Sequence, residues 1–176
     1  MEQNEDDIRS QPEVIIHTAI LALASVLGLA GNSLVCVAFY RNRRLRTITN
    51  FYVLSLALSD TIVAAFAYPF SSVSSALGEW PFGDNFCQLA GFLIQYWSQL
   101  SLCTLAIASL NRYFRVVKSE RYSTLFTRKK AISSIVAVWI VFFVQNMISI
   151  FATPVIFQWS PKSLYCRGTL DRKSVV

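Results

Sequence analysis

The chain has 176 residues, of which 54% are hydrophobic and only 15% are charged. An ordinary soluble domain carries about a quarter charged residues, so the composition excludes that class. The net charge of +6 would suit a nucleic-acid partner, but the basic residues are concentrated in two short segments between apolar runs, which argues against nucleic acid. A single isolated histidine and the lack of any nucleophile or metal-ligand motif indicate that the protein is not an enzyme.

Four apolar runs follow one another along the chain, and each is long enough for a helix to cross a membrane. They cover residues 14–40, 47–77, 85–111 and 131–157. The third run contains no Asp, Glu, Lys or Arg. As a helix it would be about 40 Å long, more than the hydrocarbon core of about 30 Å. The sequence therefore predicts an all-α transmembrane fold with four membrane-spanning helices.

The segments between the runs predict how these helices are oriented. Residues 41–46 and 112–130 are rich in Arg and Lys, whereas the tail 1–13 and the loop 78–84 are acidic. Short loops rich in Lys and Arg stay on the cytoplasmic side of a membrane. We therefore predict an extracellular N-terminal tail, two cytoplasmic basic loops, and extracellular segments at 78–84 and 158–176. The protein is predicted to be a multi-pass protein of the plasma membrane, surrounded by the lipid bilayer.

Small and polar residues within the runs indicate where helices pack or carry function. Gly28 and Gly31 would allow close helix packing, and the amide of Asn32 needs a partner on another helix. Asp60 lies about midway along the second run, where a carboxylate costs roughly 2.5 to 3.5 kcal/mol at the bilayer centre. It should therefore face the interior, with a cation, a proton or a polar partner. Pro69 is expected to bend the same helix, with neighbours satisfying the carbonyl group that it frees.

Two of the four cysteines are predicted to lie on the extracellular side. Cys87 stands at the start of the third run, and Cys166 follows the fourth run. Because that compartment is oxidising, we predict a disulfide between them. Cys36 and Cys103 lie within apolar runs and are expected to act as small apolar residues.

Taken together, these features resemble the rhodopsin-like, class A, G-protein-coupled receptors. The residues that carry the resemblance occur in the family's order along essentially the whole chain: Gly31-Asn32, Leu56-Ala57, Asp60, Trp80, Cys87, Arg112-Tyr113, Trp139 and Cys166. The resemblance implies the first four helices of a seven-transmembrane helix bundle. Helices five to seven would be missing, and we expect the chain not to signal by itself.

Some positions resemble the melatonin-receptor group more than the family at large. They are Ser55, the Tyr68-Pro69 pair, the segment 87–93, Asn111 where most members have Asp, and Ser119 where most have Pro. We therefore place the chain near that group on sequence grounds.

The ligand positions of the family do not match either an amine or melatonin. Ile94 stands where amine receptors have an Asp that pairs with the ammonium group, so we do not expect an amine bound in that way. Ser149, Gly168 and Leu170 stand where melatonin receptors have Asn, Phe and Gln. The small-molecule ligand is therefore left open.

The resemblance also implies roles for individual residues in a receptor that passes an extracellular signal to heterotrimeric G proteins. The implied sodium site and activation switch consist of Asp60, Ser101 and Asn32. The implied G-protein contacts are Asn111, Arg112, Tyr113, Ser119 and Glu120. The implied ligand pocket contains Ile94, Gln95, Ser98, Gln99 and Ser149. The implied helix-packing residues are Gly31 and Trp139. No cofactor is expected apart from an allosteric sodium ion, and receptor dimerisation is left open.

One alternative from another class is a four-span scaffold or modulator that associates with full-length receptors. A scaffold of the tetraspanin or claudin kind would have both termini inside and a large cysteine-rich outer loop. The charge pattern and the short loop 78–84 oppose it. A small channel that uses Asp60 would need further ionisable residues within the runs, and apart from His17 near the end of the first run they contain no other Asp, Glu, Lys, Arg or His.

Overall fold

The computed structural model describes residues 10–152, 155–160 and 162–170. The predicted acidic tail before residue 10 and the chain after residue 170 lie outside these residues. The elements are α1 (Gln11–Arg41), α2 (Ile48–Leu77), α3 (Asp84–Val117), α4 (Ser119–Leu125), α5 (Arg128–Ala152), β1 (Val155–Ser160) and β2 (Tyr165–Leu170). Four of them, α1, α2, α3 and α5, are long and apolar enough to cross a membrane. The predicted all-α transmembrane architecture is thereby confirmed.

The first helix begins earlier than the apolar run that predicted it. Ser10 precedes α1, and its backbone N–H donates to the carboxylate of Glu13 at 3.2 Å. Pro12 stands in the first turn, where a missing N–H costs nothing. Ser followed three residues later by Glu is a helix-start signature, so α1 begins at Gln11 rather than at Val14.

The second helix contains one turn of π-helix, Val63–Ala67, which ends two residues before Pro69. Proline has no N–H to donate back along the helix, so a carbonyl group in the preceding turn loses its usual partner. The hydroxyl of Ser25 in α1 donates to the carbonyl oxygen of Ala64 at 2.8 Å. A neighbouring helix therefore satisfies a carbonyl group in the irregular turn, as expected from the sequence.

The third helix lies at the centre of the bundle and contacts α2, α5 and both strands. Its buried residues recur every three to five positions and form one face: Cys87, Gly91, Tyr96, Leu100, Thr104, Ala108 and Asn111. Many apolar side chains of α1 and α5 are exposed instead. An outward apolar surface on the outer helices suits a lipid environment.

Two strands follow α5, where the sequence analysis predicted a helix to residue 157 and then an irregular segment. They pair antiparallel, with Phe157 opposite Gly168 and Trp159 opposite Cys166. The hairpin lies against the start of α3. We call this end of the bundle the hairpin end, and the opposite end, where Arg112 lies, the arginine end.

The arginine end is more ordered than the predicted loops. A short 3-10 turn, Arg43–Leu45, joins α1 to α2. The third helix continues to Val117, so Arg112 and Tyr113 lie within it rather than in a loop. The segment after it forms α4, which carries Ser119 and Glu120 in its first turn.

The two glycines of α1 that the sequence favours for close helix packing, Gly28 and Gly31, differ in their surroundings. Among the residues that the structure describes, a Cβ atom placed at Gly31 would meet nothing within 4 Å. A Cβ atom placed at Gly28 would lie 3.0 Å from the Cβ of Ala64. Gly28, one turn earlier, is therefore the residue that allows α1 and α2 to approach closely.

Candidate functional site

The hairpin is fixed to α3 by one covalent and one polar link. The predicted disulfide between Cys87 and Cys166 is present, with the two Cα atoms 5.5 Å apart. At the next residue, the side chain of Gln88 donates to the carbonyl oxygen of Phe157 at 2.8 Å and accepts from its N–H at 2.9 Å. This amide satisfies both backbone groups of Phe157 on the side facing the helix, so β1 is held at a fixed height on α3.

Close approach of the hairpin depends on Gly91. A Cβ atom there would overlap the ring of Phe157 and lie 2.6 Å from the carbonyl oxygen of Cys166. Real Cβ contacts are longer than this, so only glycine leaves room for the hairpin at this position. The phenyl ring fills the space above the helix and is itself 4% exposed.

A cavity of about 310 Å³ lies between α3 and the hairpin. Four residues of the predicted ligand pocket line it together, namely Ile94, Gln95, Ser98 and Gln99. The hairpin contributes Phe157, Tyr165, Arg167 and Gly168. The cavity therefore combines an apolar wall, two aromatic rings, two amides and hydroxyl groups, which is the make-up of a small-molecule site.

The fifth predicted pocket residue, Ser149, is not among the residues that line this cavity. Its hydroxyl donates to the carbonyl oxygen of Gln145 at 3.0 Å, and it borders a groove on another face of α5. The residue of α5 that acts on the cavity is Asn146, which is 2% exposed and donates to the side-chain oxygen of Gln99 at 2.7 Å. The sequence signal that could have found Asn146 is its amide within an apolar run, which needs a hydrogen-bond partner on a neighbouring helix.

Below the cavity, Asp60 and Ser101 meet as predicted. The hydroxyl of Ser101 donates to the carboxylate of Asp60 at 3.2 Å. The amide group of Asn32 does not contact this pair. It donates to the carbonyl oxygen of Gly28 in its own helix at 2.9 Å. Among the residues that the structure describes, no group of three or more His, Cys, Asp or Glu could hold a metal ion. The carboxylate and the hydroxyl are oxygen donors of the type that hard cations bind.

Trp139 links three helices near the middle of the bundle. Its indole N–H donates to the hydroxyl of Ser55 in α2 at 3.2 Å, and its carbonyl oxygen accepts from the hydroxyl of Tyr96 in α3 at 3.1 Å. Its ring also packs edge-on against Trp97 at 5.4 Å between centroids. The geometry fits the predicted packing role.

At the arginine end, Asn111 joins three elements. Its side-chain oxygen accepts from the hydroxyl of Thr49 in α2 at 2.8 Å, and its amide nitrogen lies 3.4 Å from the hydroxyl of Tyr122 in α4. The residue is 0% exposed. Both polar atoms of the side chain are thus used to hold α2, α3 and α4 together. The sequence analysis considered Asn111 only as the neighbour of Arg112, and it missed Thr49 and Tyr122.

The remaining predicted G-protein contacts are all exposed at the same end: Arg112, Tyr113, Ser119 and Glu120. They share this end with the other basic residues of the segment 112–130 and with the arginines of the segment 41–46. Among the described residues, the structure gives Arg112 no carboxylate partner. Its guanidinium is therefore available to a binding partner.

Comparison with known protein families gives one match over most of the chain. The sequence profile of the family described as "7 transmembrane receptor (rhodopsin family)" matches residues 31–175. The matched range includes every candidate site residue named above.

Individual relatives agree with this match. The chain is 33% identical over 144 residues to the octopamine receptor beta-2R of Chilo suppressalis, covering 82% of this chain and 35% of that receptor. It is 34% identical over 136 residues to the human histamine H2 receptor, covering 77% of this chain and 38% of that receptor. It is 36% identical over 133 residues to melanopsin-B of Xenopus laevis, covering 76% of this chain and 25% of that protein. The chain thus spans between 25% and 38% of the length of these relatives.

Proposed function

The chain belongs to the rhodopsin family of seven-transmembrane receptors. On this basis we propose that it is part of a receptor that passes an extracellular small-molecule signal to heterotrimeric G proteins. This is a family of receptors rather than of enzymes. The four-span scaffold alternative gains no support from the relatives, which are named as receptors and a melanopsin.

The proposed orientation places the hairpin end outside the cell and the arginine end in the cytoplasm. Two observations support it. The basic segments 41–46 and 112–130 both lie at the arginine end, as expected for cytoplasmic loops. The disulfide between Cys87 and Cys166 lies at the hairpin end, as expected for the oxidising side.

The observation that carries the proposed function is the arrangement around Asn111. The side chain of Asn111 is hydrogen-bonded to Thr49 and Tyr122, so it links α2, α3 and α4. The adjacent Arg112 is exposed. An exposed arginine on a braced helix end is suited to contact a protein partner, because its guanidinium offers five donors in a fixed geometry. We propose that this surface binds the G-protein α-subunit, with Tyr113, Ser119 and Glu120 beside it.

The ligand would enter the cavity between α3 and the hairpin. The octopamine and histamine receptors named above bind amines according to their names, and the predicted melatonin-receptor grouping gains no support from them. In amine receptors, an Asp is expected to pair with the ammonium group of the ligand. Ile94 occupies that position here and lines the cavity, so the cavity does not suit an amine bound in that way. We therefore propose a small-molecule ligand and do not propose that it is an amine.

A sodium ion is proposed at Asp60 as an allosteric ligand. Asp60 would supply a carboxylate oxygen and Ser101 its hydroxyl oxygen, and these two atoms are already brought together. A bound cation would offset the cost of a carboxylate inside the membrane.

The test measures G-protein activation, as basal GTPγS binding, in membranes of cells that express the protein from its native transcript. Sequencing of that transcript beyond the codon for Val176 comes first, because the relatives are longer than this chain. Basal GTPγS binding should then fall to the level of untransfected membranes in Arg112→Ala. The matched control is Arg115→Ala, an exposed arginine on the same helix, which should retain the signal. Equal activity of the two variants would refute the proposed role of Arg112.

A further inference from the structure

Thr127 differs in its backbone from the other hydroxyl-bearing residues that follow Arg112 at the arginine end. The others lie in α4: Ser119, Ser123 and Thr124. Thr127 lies in the two-residue link between α4 and α5, and its side chain is exposed. Phe126, directly before it, has an extended backbone, with φ −113° and ψ 96°. An enzyme that binds a short extended segment can therefore reach the Thr127 hydroxyl without unfolding α4.

The three residues after Thr127 are all basic and all exposed: Arg128, Lys129 and Lys130. They form the first turn of α5, which carries no acidic residue. Cations are unfavourable at the N-terminus of a helix, because the backbone dipole is positive there. A negative group on Thr127 would therefore be stabilised by the charges that follow it.

Two hydrogen bonds hold the first turn of α5 to Thr127. Its hydroxyl accepts from the N–H of Lys130 at 3.3 Å, and its carbonyl oxygen accepts from the N–H of Ala131 at 2.9 Å. The first turn of a helix has few internal hydrogen bonds and opens more easily than the middle. Residues 127–130 can therefore become extended in the cleft of an enzyme while the rest of α5 stays helical.

Lys130 also links α5 to α4 through its side chain. Its Nζ donates to the carbonyl oxygen of Thr124, in the last turn of α4, at 2.6 Å. The acceptor is a neutral carbonyl group. A phosphate group three residues before Lys130 would offer oxygens with about two negative charges instead, and such bonds are stronger.

We propose that Thr127 is the phosphorylation site of a Ser/Thr protein kinase that selects basic residues after its target, and that the phosphate draws Lys130 away from Thr124. The hydroxyl oxygen of Thr127 forms a bond to the γ-phosphorus of ATP, and the bond from that phosphorus to the bridging oxygen of ADP breaks. ADP leaves with the electron pair, and the hydroxyl proton passes to the catalytic aspartate of the kinase. The inference goes beyond the proposed function, and it rests on the proposed cytoplasmic position of the arginine end.

The phosphate would act on the surface that we propose for the G protein. Ser119 and Glu120 lie in the first turn of α4, and Lys130 holds the last turn of this short helix. Loss of that bond would loosen α4. Phosphorylation of Thr127 is thus a means to alter the presentation of Ser119 and Glu120.

The first experiment measures phosphate transfer to the whole 176-residue chain in lipid nanodiscs, with radiolabelled ATP and the catalytic domain of protein kinase C, which prefers basic residues after its target. Label should enter a peptide that contains Thr127, and Thr127→Ala should lose that label. Thr124→Ala is the matched control, because it removes an exposed threonine of α4 and should keep the label. Lys129→Gln should lower kcat/KM about tenfold, as expected for one charge-assisted contact, whereas Arg115→Gln should leave it unchanged.

The second experiment measures hydrogen exchange of the backbone amides in residues 119–125. They should exchange faster in the phosphorylated chain, and Lys130→Gln without phosphate should show the same increase. Unchanged exchange after phosphorylation would overturn the proposed release of Lys130.

The proposal is also overturned if Thr127→Ala is labelled like the unaltered chain, or if the protein from phorbol-ester-treated cells carries no phosphate on Thr127. The nanodisc assays use neither ligand nor G protein, and both faces of a nanodisc are accessible. They can therefore fail while the Arg112 experiment succeeds, and they can succeed while the proposed receptor function fails.

Discussion

Gly91→Ala is the substitution that most sharply tests how the hairpin sits on α3. The added Cβ would overlap the ring of Phe157 and lie 2.6 Å from the carbonyl oxygen of Cys166, whereas ordinary contacts begin at 3.4 Å. The hairpin would have to rise by roughly 1 Å to restore normal contact. It cannot rise freely, because the disulfide ties Cys166 to Cys87 just one turn away from the substituted position.

The expected loss of stability follows from two opposing terms. Forcing an extra methyl group into a packed contact costs about 1–3 kcal/mol. Replacing glycine by alanine within a helix returns about 0.5–1 kcal/mol. The net destabilisation is about 1–2 kcal/mol, which for a chain of this size lowers the thermal midpoint by about 2–8 °C.

Gly31→Ala and Gly28→Ala provide matched controls for this prediction. A methyl group at Gly31 meets nothing within 4 Å, so the thermal midpoint should stay the same or rise by a few degrees. At Gly28 the methyl group would lie 3.0 Å from Ala64, so the result should fall between the other two. The assay is thermal unfolding of the three variants and the unaltered chain in lipid nanodiscs. A Gly91→Ala midpoint equal to that of Gly31→Ala would refute the close contact between hairpin and helix.

Three further predictions concern the rest of the bundle. Ser25→Ala should destabilise the chain by about 1–3 kcal/mol, because the buried carbonyl group of Ala64 loses its donor, while the exposed Ser33→Ala should change the thermal midpoint little. Sodium chloride should raise the thermal midpoint relative to N-methylglucamine chloride at equal ionic strength, and Asp60→Asn should abolish the difference; a sodium effect that persists in this variant would rule out the proposed site. Asn111→Asp should lower basal GTPγS binding of the protein expressed from its native transcript, because a carboxylate beside the exposed arginine would restrain it; an unchanged or raised basal signal would contradict this.

The membrane-spanning helices could be predicted because their signal is long and physical. A long apolar run with at most one charge has to be buried in lipid or protein over most of its length, so the four runs correspond to α1, α2, α3 and α5. The disulfide could be predicted because topology put Cys87 and Cys166 in the same compartment, and the structure confirms it. The pairing of Asp60 with Ser101 followed from family resemblance rather than from the residues alone.

The ends of the elements could not be predicted in the same way. Apolar composition continues from α5 into β1, so composition alone did not mark the change from helix to strand, although Pro154, two residues after the end of α5, is a typical helix-stop signal. The end of α3 was placed at Asn111 because charges begin there, yet a helix can carry charges on its exposed turns once it leaves the membrane. Local signals were present for some of these features, including the Ser10 to Glu13 pattern at the start of α1.

Which face of a helix meets a neighbour was the least predictable property. Gly28 and Gly31 are both glycines in one helix, and only the packing of α1 against α2 decides that Gly28 makes the contact. In the same way, Ser149 and Asn146 lie within one turn of α5, but Asn146 is the one that reaches Gln99. A single sequence gives the residue type at each position, and it does not give the rotation of a helix about its own axis.

The central claim is that the hairpin cavity and the exposed Arg112 lie on opposite sides of a membrane, with the hairpin outside. Its most direct test is cysteine labelling of intact cells with a membrane-impermeant maleimide, using Lys162→Cys in the hairpin turn and Arg121→Cys in α4. The unaltered chain measures background from Cys36 and Cys103. The account predicts that Lys162→Cys is labelled on intact cells and that Arg121→Cys is labelled only after permeabilisation. The reverse pattern, or labelling of both on intact cells, would contradict it.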